Sequence, residues 1–359
     1  MKPFFLLFVI IVCWLGAGGQ TPPATERPVD ENEQSQRDDQ KSSGSSLDWE
    51  STNRLVCPSF IENNNVRFVD MRRSKVVFTD NEGANWKEID NIRSFCVEFW
   101  NEKIGWSIYD AVSITGDGGG TWSKMRPLHP TALLPSQIEF IDPLNGWAVD
   151  SFYVYKTNDG GRTWTRNLSY REELAGQPGR LFVSNRRSAW LCDVGGKTHS
   201  RVYGTKNGRN WSAKRITAGS SSYCDVFFVG ERDGWYLPGW QYLYSTSNGG
   251  LTWRKSLVAK NFETRSMFWL DEQLGWIAGF FSKSEGLPPK LGVGAVLKTV
   301  DGGKTWIEVL VPKKEAFYVK VHFTSRQNGW LIARDKIYKT SDAGATWKLS
   351  YAAPLIDAE

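Results

Sequence analysis

The side chains that could carry chemistry fall into three groups. Carboxylates come first: Asp117, Asp159, Asp301 and Asp342 recur in one local setting, while Asp110 and Asp150 each follow a short apolar run. Two carboxylates facing each other across a sugar would perform glycoside hydrolysis. Cations come second: Arg93, Arg180, Arg265 and Lys320 each stand at the entry to an apolar run. If they converge, they form a basic patch suited to an acidic peptide or a lipid headgroup. Sulfur comes third: Cys57, Cys96, Cys192 and Cys224 make an even count beyond an early Cys13. Three His in 359 residues leave little for a triad or a metal site, and zinc spacing, a phosphate loop and a serine-triad context are all missing. The expectation is no metal and no cofactor.

What must position these groups is a repeat. The segment 157–164, TNDGGRTW, recurs as TGDGGGTW (115–122), TSNGGLTW (246–253), TVDGGKTW (299–306) and TSDAGATW (340–347). TDNEGANW (79–86) is a degenerate copy, and TKNGRNW (205–211) is one residue short. The seven box tryptophans lie 36 to 53 residues apart and fill the chain from 51 to 359, leaving no room for a second domain. Six further tryptophans, Trp106, Trp147, Trp190, Trp235, Trp276 and Trp330, head short apolar runs, mostly as Gly-Trp. An aromatic precedes each by seven or eight residues: Phe99, Phe140, Phe182, Phe228, Trp269 and Phe323. Each unit thus holds four strand-like runs, in the third unit 137–141, 146–150, 153–157 and 163–168, rich in Val, Phe, Tyr and Trp and separated by Gly, Asn and Asp. Seven such units predict an all-β, seven-bladed β-propeller of four-stranded antiparallel blades. The box joins the third strand to the fourth. Its Asp or Asn bonds the backbone ahead and its glycines supply positive φ, so Asp117, Asp159, Asp301 and Asp342 read as turn formers.

The ends of the chain read differently. Lys2, an apolar run from Phe4 to Leu15 and the small residues 16–19 form a secretory signal peptide over 1–19. Residues 20–50 are a disordered acidic linker of Pro, Ser, Gln and acids. Residues 21–50 carry eight acids against three bases, which leaves a net +9 on residues 51–359. Lys/Arg-rich runs that would argue for nucleic acid are missing. In the propeller, Cys57–Cys96 and Cys192–Cys224 are pairings of neighbours, with buried free thiols as the other outcome. The loop 280–294 in the sixth unit is the longest departure from the repeat, and the tail 351–359 shows no clear strand to close the ring.

The S/T-x-D-x-G-x-T-W pattern is similar to the Asp-box, or bacterial neuraminidase repeat. Coupled to Gly-Trp strands, as in GWAVD…VYKTNDGGRTW (146–164) and GWIAG…VLKTVDGGKTW (275–306), it resembles the photosystem II stability/assembly factor family over about residues 55–350. The first unit departs by lacking Gly-Trp, and the fourth by its shortened box. The resemblance implies an exported, non-enzymatic scaffold. It would engage a membrane-complex subunit or precursor through a basic top face, as a monomer, with peripheral membrane association and no nucleic acid. The competing expectation is a sialidase-like or xyloglucanase-like hydrolase, or a carbohydrate-binding propeller. No Arg-Ile-Pro occurs here, and the xyloglucanase type sets two propellers around a cleft, whereas this chain has room for one.

Overall fold

The computed structural model describes residues 55–61, 65–125, 134–169, 177–194, 200–216, 223–282, 293–309, 311–312 and 318–354. The leader 1–19, the acidic segment 20–50, positions 283–292 of the sixth-unit loop and the tail from 355 lie outside the described residues. Among those described, 28 strands form seven four-stranded antiparallel sheets, each made of strands consecutive in sequence, and there is no helix. These are the blades of a β-propeller: blade 1 spans 55–89, blade 2 96–124, blade 3 137–169, blade 4 177–216, blade 5 225–257, blade 6 262–309 and blade 7 318–352. First strands of successive blades touch one another, so they line the axis and the fourth strands form the outer edge. In blade 3 the four runs appear as Gln137–Phe140, Gly146–Val149, Tyr153–Thr157 and Thr165–Ser169.

Aromatic packing between blades explains the Gly-Trp spacing. Trp106 of blade 2 stacks flat on Phe140 of blade 3, with centroids 3.4 Å apart and planes 6° from parallel. Its indole N–H donates to Gly160 O in that blade's box at 3.1 Å. The same stack joins Trp190 to Phe228, Trp235 to Trp269 and Trp276 to Phe323. Each receiving ring meets its own blade's box tryptophan edge-on, as Phe140 meets Trp164 and Phe323 meets Trp347. Such pairs contribute about 0.5–1.5 kcal/mol each beyond the area they bury. The receiving ring also lies over the glycine of its own blade. A Cβ on Gly146 would stand 2.5 Å from Phe140, and one on Gly275 2.5 Å from Trp269.

Blade 4 shows the rule by exception. Its register pairs Val183 with Ala189 and Phe182 with Trp190. Phe182 is therefore not the counterpart of Phe99 and Phe140. Val183 takes that place, and its smaller side chain leaves room for the Ala of Ala-Trp. Blade 1, which has no Gly-Trp, uses Arg67. Val66 pairs with Thr79 as Gly146 pairs with Thr157, which puts Arg67 in the tryptophan's position. The guanidinium lies over Phe99 of blade 2 at 4.0 Å and donates to Gly118 O (2.6 Å) and Glu102 O (2.8 Å). It thus covers a first-strand ring and bonds a box carbonyl as Trp106 does. Burial lowers its pKa to about 10, against the raising influence of Glu102 and Asp80.

The ring closes without an exchanged strand, because blade 7 supplies all four of its own. Leu55 N donates to Arg334 O (3.2 Å), Trp86 Nε1 to Ser350 O (2.9 Å) and Lys339 Nζ to Glu82 Oε2 (2.9 Å). Leu55, Phe68 and Val77 share one core with Trp330 and Ile332. Two disulfides tie other blade pairs. Cys57–Cys96 joins the first strands of blades 1 and 2, with Cα atoms 5.0 Å apart. Cys192–Cys224 joins the second strand of blade 4 to the segment entering blade 5, with Cα atoms 6.4 Å apart. Both spans lie within bridging range. They close segments 39 and 32 residues long, and by chain entropy each contributes about 3–4 kcal/mol.

Candidate functional site at the axis

The box carboxylates are consumed by their own turns. Thr115 Oγ1 donates to Asp117 Oδ1 (2.8 Å) and accepts from Gly119 N (2.9 Å), while Asp117 accepts from the amide and hydroxyl of Thr121, both at 2.8 Å. Asp159, Asp301 and Asp342 make the same set with Thr163, Thr305 and Thr346. The Thr121 amide and hydroxyl hold the Asp117 carboxyl at about 2. Asp110 and Asp150 do not face each other as an acid and a base would. Asp110 is exposed and paired with Lys124 (2.6 Å) on the outer strand. Asp150 is buried and accepts from Phe152 N, Tyr153 N and the Tyr155 hydroxyl.

A different set of side chains meets at the axis. Strand alternation turns one residue toward the blade interface and the next toward the channel. The register opposite each Gly-Trp tryptophan places Glu98, Glu139, Phe182, Phe227, Phe268 and His322 at equivalent inward positions of blades 2 to 7. In blade 1 Ser59 stands opposite Arg67, and Phe60, one residue on, extends the row by stacking on His322 with centroids 3.9 Å apart and planes 4° from parallel. The other rings touch in series: Phe182 to Phe227 at 4.8 Å, Phe227 to Phe268 at 5.5 Å, Phe268 to His322 at 4.4 Å. One wall of the channel is thus an aromatic arc from five consecutive blades, and the other is Glu98 and Glu139. All seven side chains are half-buried, so solvent reaches the lumen. Burial, then Lys320, lowers the His322 pKa to about 3, so its imidazole is neutral and acts as a fifth apolar ring.

One pleat nearer the mouth where the chain enters the first strands, here the upper mouth, lies a charged layer. Arg180 and Arg265 occupy β-bulges, where the register skips between Pro178 and Leu181 and between Thr264 and Ser266. Bulges re-aim side chains in this way. Arg180 Nη2 donates to Glu139 Oε1 (2.6 Å), which also accepts from Gln137 Nε2 (2.8 Å). Burial alone would lower the Arg180 guanidinium, but Glu139, Asp225 and Tyr223 raise it above its usual value. Arg265 pairs with Glu263 (3.3 Å) and lies over Phe280 (5.3 Å). Asp225 Oδ2 accepts from Met267 N of the next blade at 3.2 Å. Lys320 of blade 7 lies within electrostatic reach of Arg180, Asp225, Glu139 and Glu98, which belong to blades 4, 5, 3 and 2. Burial, then Arg180, lowers the lysine's pKa.

Of the four expected cations, Arg180 and Lys320 lie within electrostatic reach of each other, and Arg265 shares Tyr223 with Arg180. Arg93 is exposed ahead of blade 2, and none of these contacts includes it. The three are accompanied by Glu98, Glu139, Asp225 and Glu263, so this mouth is of mixed charge rather than basic. The glutamates and the aromatic arc were missed by sequence reasoning. Their signal is position: each of Glu98, Glu139, Phe227, Phe268 and His322 immediately precedes an inter-blade aromatic. Among the described residues, no group of three His, Cys, Asp or Glu is placed to hold a metal ion.

The fold and site define a seven-bladed propeller with a two-walled axial channel. No protein-family model and no curated protein matches the chain. Among solved structures it is similar to YCF48 bound to D1 peptide: 18% identity, TM-score 0.63, covering 81% of this chain and 94% of that one. It is also similar to YCF48 from Cyanidioschyzon merolae (17%, TM-score 0.62, 81% and 96%) and to a streptogramin B lyase (11%, TM-score 0.62, 83% and 94%). At these identities the likeness is one of fold.

Proposed function

We propose that this chain is an exported, non-enzymatic scaffold that engages a segment of a membrane-complex protein through the upper mouth of its channel. The carrying observation is that Arg180 and Lys320 lie within electrostatic reach of Glu139, Asp225 and Glu98, with Arg265 joined to them through Tyr223, on the innermost strands of six blades. A rigid frame holds such groups ready for a partner with little ordering cost on binding. Two disulfides suit an oxidising compartment and support export through the leader at 1–19. The resemblance to photosystem II stability/assembly factors, and the D1 peptide on the similar YCF48 structure, favour a membrane-protein segment as partner and a monomeric, peripherally associated scaffold. The hydrolase reading lacks this support, since Asp110 and Asp150 each bond within their own blade.

Charge reversal tests the proposal. The triple variant Arg180→Glu, Arg265→Glu, Lys320→Glu, checked for folding by its melting curve, is expected to lose the partners that the wild type recovers from membranes. Arg93→Glu, outside the cluster, is expected to keep them. Recovery of the same partners by the folded triple variant would overturn the assignment of this mouth.

A further inference from the structure

The channel's two walls are chemically opposite, and the fold alone does not require that. On the first strands, five blades contribute rings that touch in series and two contribute carboxylates. Glu139 is satisfied by Arg180 and Gln137. Glu98 has no hydrogen-bond donor or ion-pair partner among the described residues; only the more distant charges of Glu139, Arg180 and Lys320 act on it.

Charge counting points the same way. The lumen groups are Glu98, Glu139, Asp225 and Glu263 against Arg180, Arg265 and Lys320. Arg180 is matched by Glu139 and Arg265 by Glu263. His322 adds no positive charge at neutral pH. With these groups ionised, one carboxylate is in excess, and Glu98 is the one without a partner. Partial burial and the neighbouring Glu139 push the Glu98 carboxyl well above its usual range, against the lowering influence of Arg180 and Lys320.

We propose that the lumen is a cation-recognition subsite: it takes the side chain of a Lys or Arg from the bound protein segment, its charged nitrogen on Glu98 and its apolar stem along Phe60, His322, Phe268, Phe227 and Phe182. This rests on the scaffold reading and supplies the partner's chemistry. Ring faces attract a cation and its methylene stem together, and the carboxylate opposite supplies a charged acceptor. The acid across from the rings disfavours an acidic side chain in the same place. Arg180 and Lys320, one pleat above, would then meet the partner's carbonyls or acids next to the inserted residue.

Calorimetric titration of the purified protein with three capped dipeptides tests this: Ac-Phe-Lys-NH2, Ac-Phe-norleucine-NH2 and Ac-Phe-Glu-NH2. The Lys peptide is expected to bind at least about tenfold more tightly than the norleucine peptide, the size of a desolvated cation–π and carboxylate contact. Glu98→Gln should remove most of that preference and Phe268→Leu part of it. The exposed rim variant Val300→Ala should leave it intact. Glu98→Asp serves if the Gln variant fails to fold, and should retain part of the preference. Equal binding of the three peptides, tightest binding of the Glu peptide, or an unchanged preference in Glu98→Gln would overturn the subsite. Tighter binding of free phenethylammonium than of the Lys peptide would overturn its assignment to a protein side chain. If the subsite fails while the triple charge reversal still abolishes partner recovery, the scaffold reading stands without it.

Discussion

The box rim and the channel wall are built from the same seven repeats and follow opposite rules. At the rim, one solution recurs. Thr115, Thr157, Thr299 and Thr340 each bond an Asp two residues on and a Gly amide four residues on, and Asn248 replaces the Asp in blade 5 with the same Thr partner. At the axis, six equivalent positions of blades 2 to 7 carry Glu, Glu, Phe, Phe, Phe and His, while blade 1 has Ser59 at that place and adds Phe60 from the next one. Groups that satisfy themselves within a turn need nothing further and can be copied from blade to blade. Groups that differ at equivalent positions of one frame are not required by that frame, and Glu98 even works against it. Repetition marks what holds the propeller up, and its breakdown at the axis marks what the propeller presents.

The comparison can be broken first at the blade interfaces, which belong to the repeated half. Trp276 is fully buried and stacked on Phe323. Trp276→Ala is expected to cost about 3–5 kcal/mol in urea unfolding. Arg67 comes next, since it performs a tryptophan's task with a guanidinium. Arg67→Ala leaves Gly118 O and Glu102 O without their donor and should cost about 2–3 kcal/mol. Arg67→Lys should rescue little, because an ammonium lacks the planar fork that reaches both carbonyls.

A smaller effect separates the rim by pH. Asp117 is held at about 2, below its ordinary value of 3.8. Its stabilisation is therefore present above the unfolded pKa and is lost as pH falls from about 4 toward 2. Asp117→Asn does not titrate, so the stability gap between wild type and variant should narrow across that window in acid-unfolding curves. A gap independent of pH would show that the carboxylate's charge is not what the turn uses.

The smallest effect has the opposite sign. Glu98→Gln removes a carboxylate that burial and Glu139 disfavour. For a group whose folded pKa is raised, the penalty is absent at low pH and appears as pH climbs past the unfolded value. The variant should melt with the wild type near pH 4 and slightly above it at neutral pH. A lower melting temperature at neutral pH would place Glu98 among the structural groups and blur the contrast between rim and channel.

The blades were legible because Thr, Asp, Gly and Trp at fixed spacing state a local turn, and the Gly-Trp runs state which strand follows. Arg180, Arg265 and Lys320 were legible as strand-entry residues. Their acidic company was not, because Glu98 and Glu139 sit inside apolar strands, and only the register shows which side of the strand they face. Phe182 misled because the inward and the inter-blade positions are adjacent in sequence, and blade 4 has its aromatic on the inward one. Arg67 could not be read at all: nothing in NVRFVD says that a guanidinium replaces an indole until Phe99 is placed beneath it. Ring closure was equally silent, since it rests on packing and isolated hydrogen bonds between blades 7 and 1 rather than on a shared strand.

Site-specific photo-crosslinking distinguishes a partner seated at the axis from one on the rim. The protein would carry p-benzoylphenylalanine in place of Phe268 at the axis or of Val300, exposed on the rim. After irradiation with solubilised membranes, mass spectrometry maps each crosslinked peptide. The axial probe is expected to capture one segment of a membrane-complex subunit, with a Lys or Arg beside the crosslink, and the rim probe is not. Capture of that segment from the rim but not from the axis would contradict an axial seat.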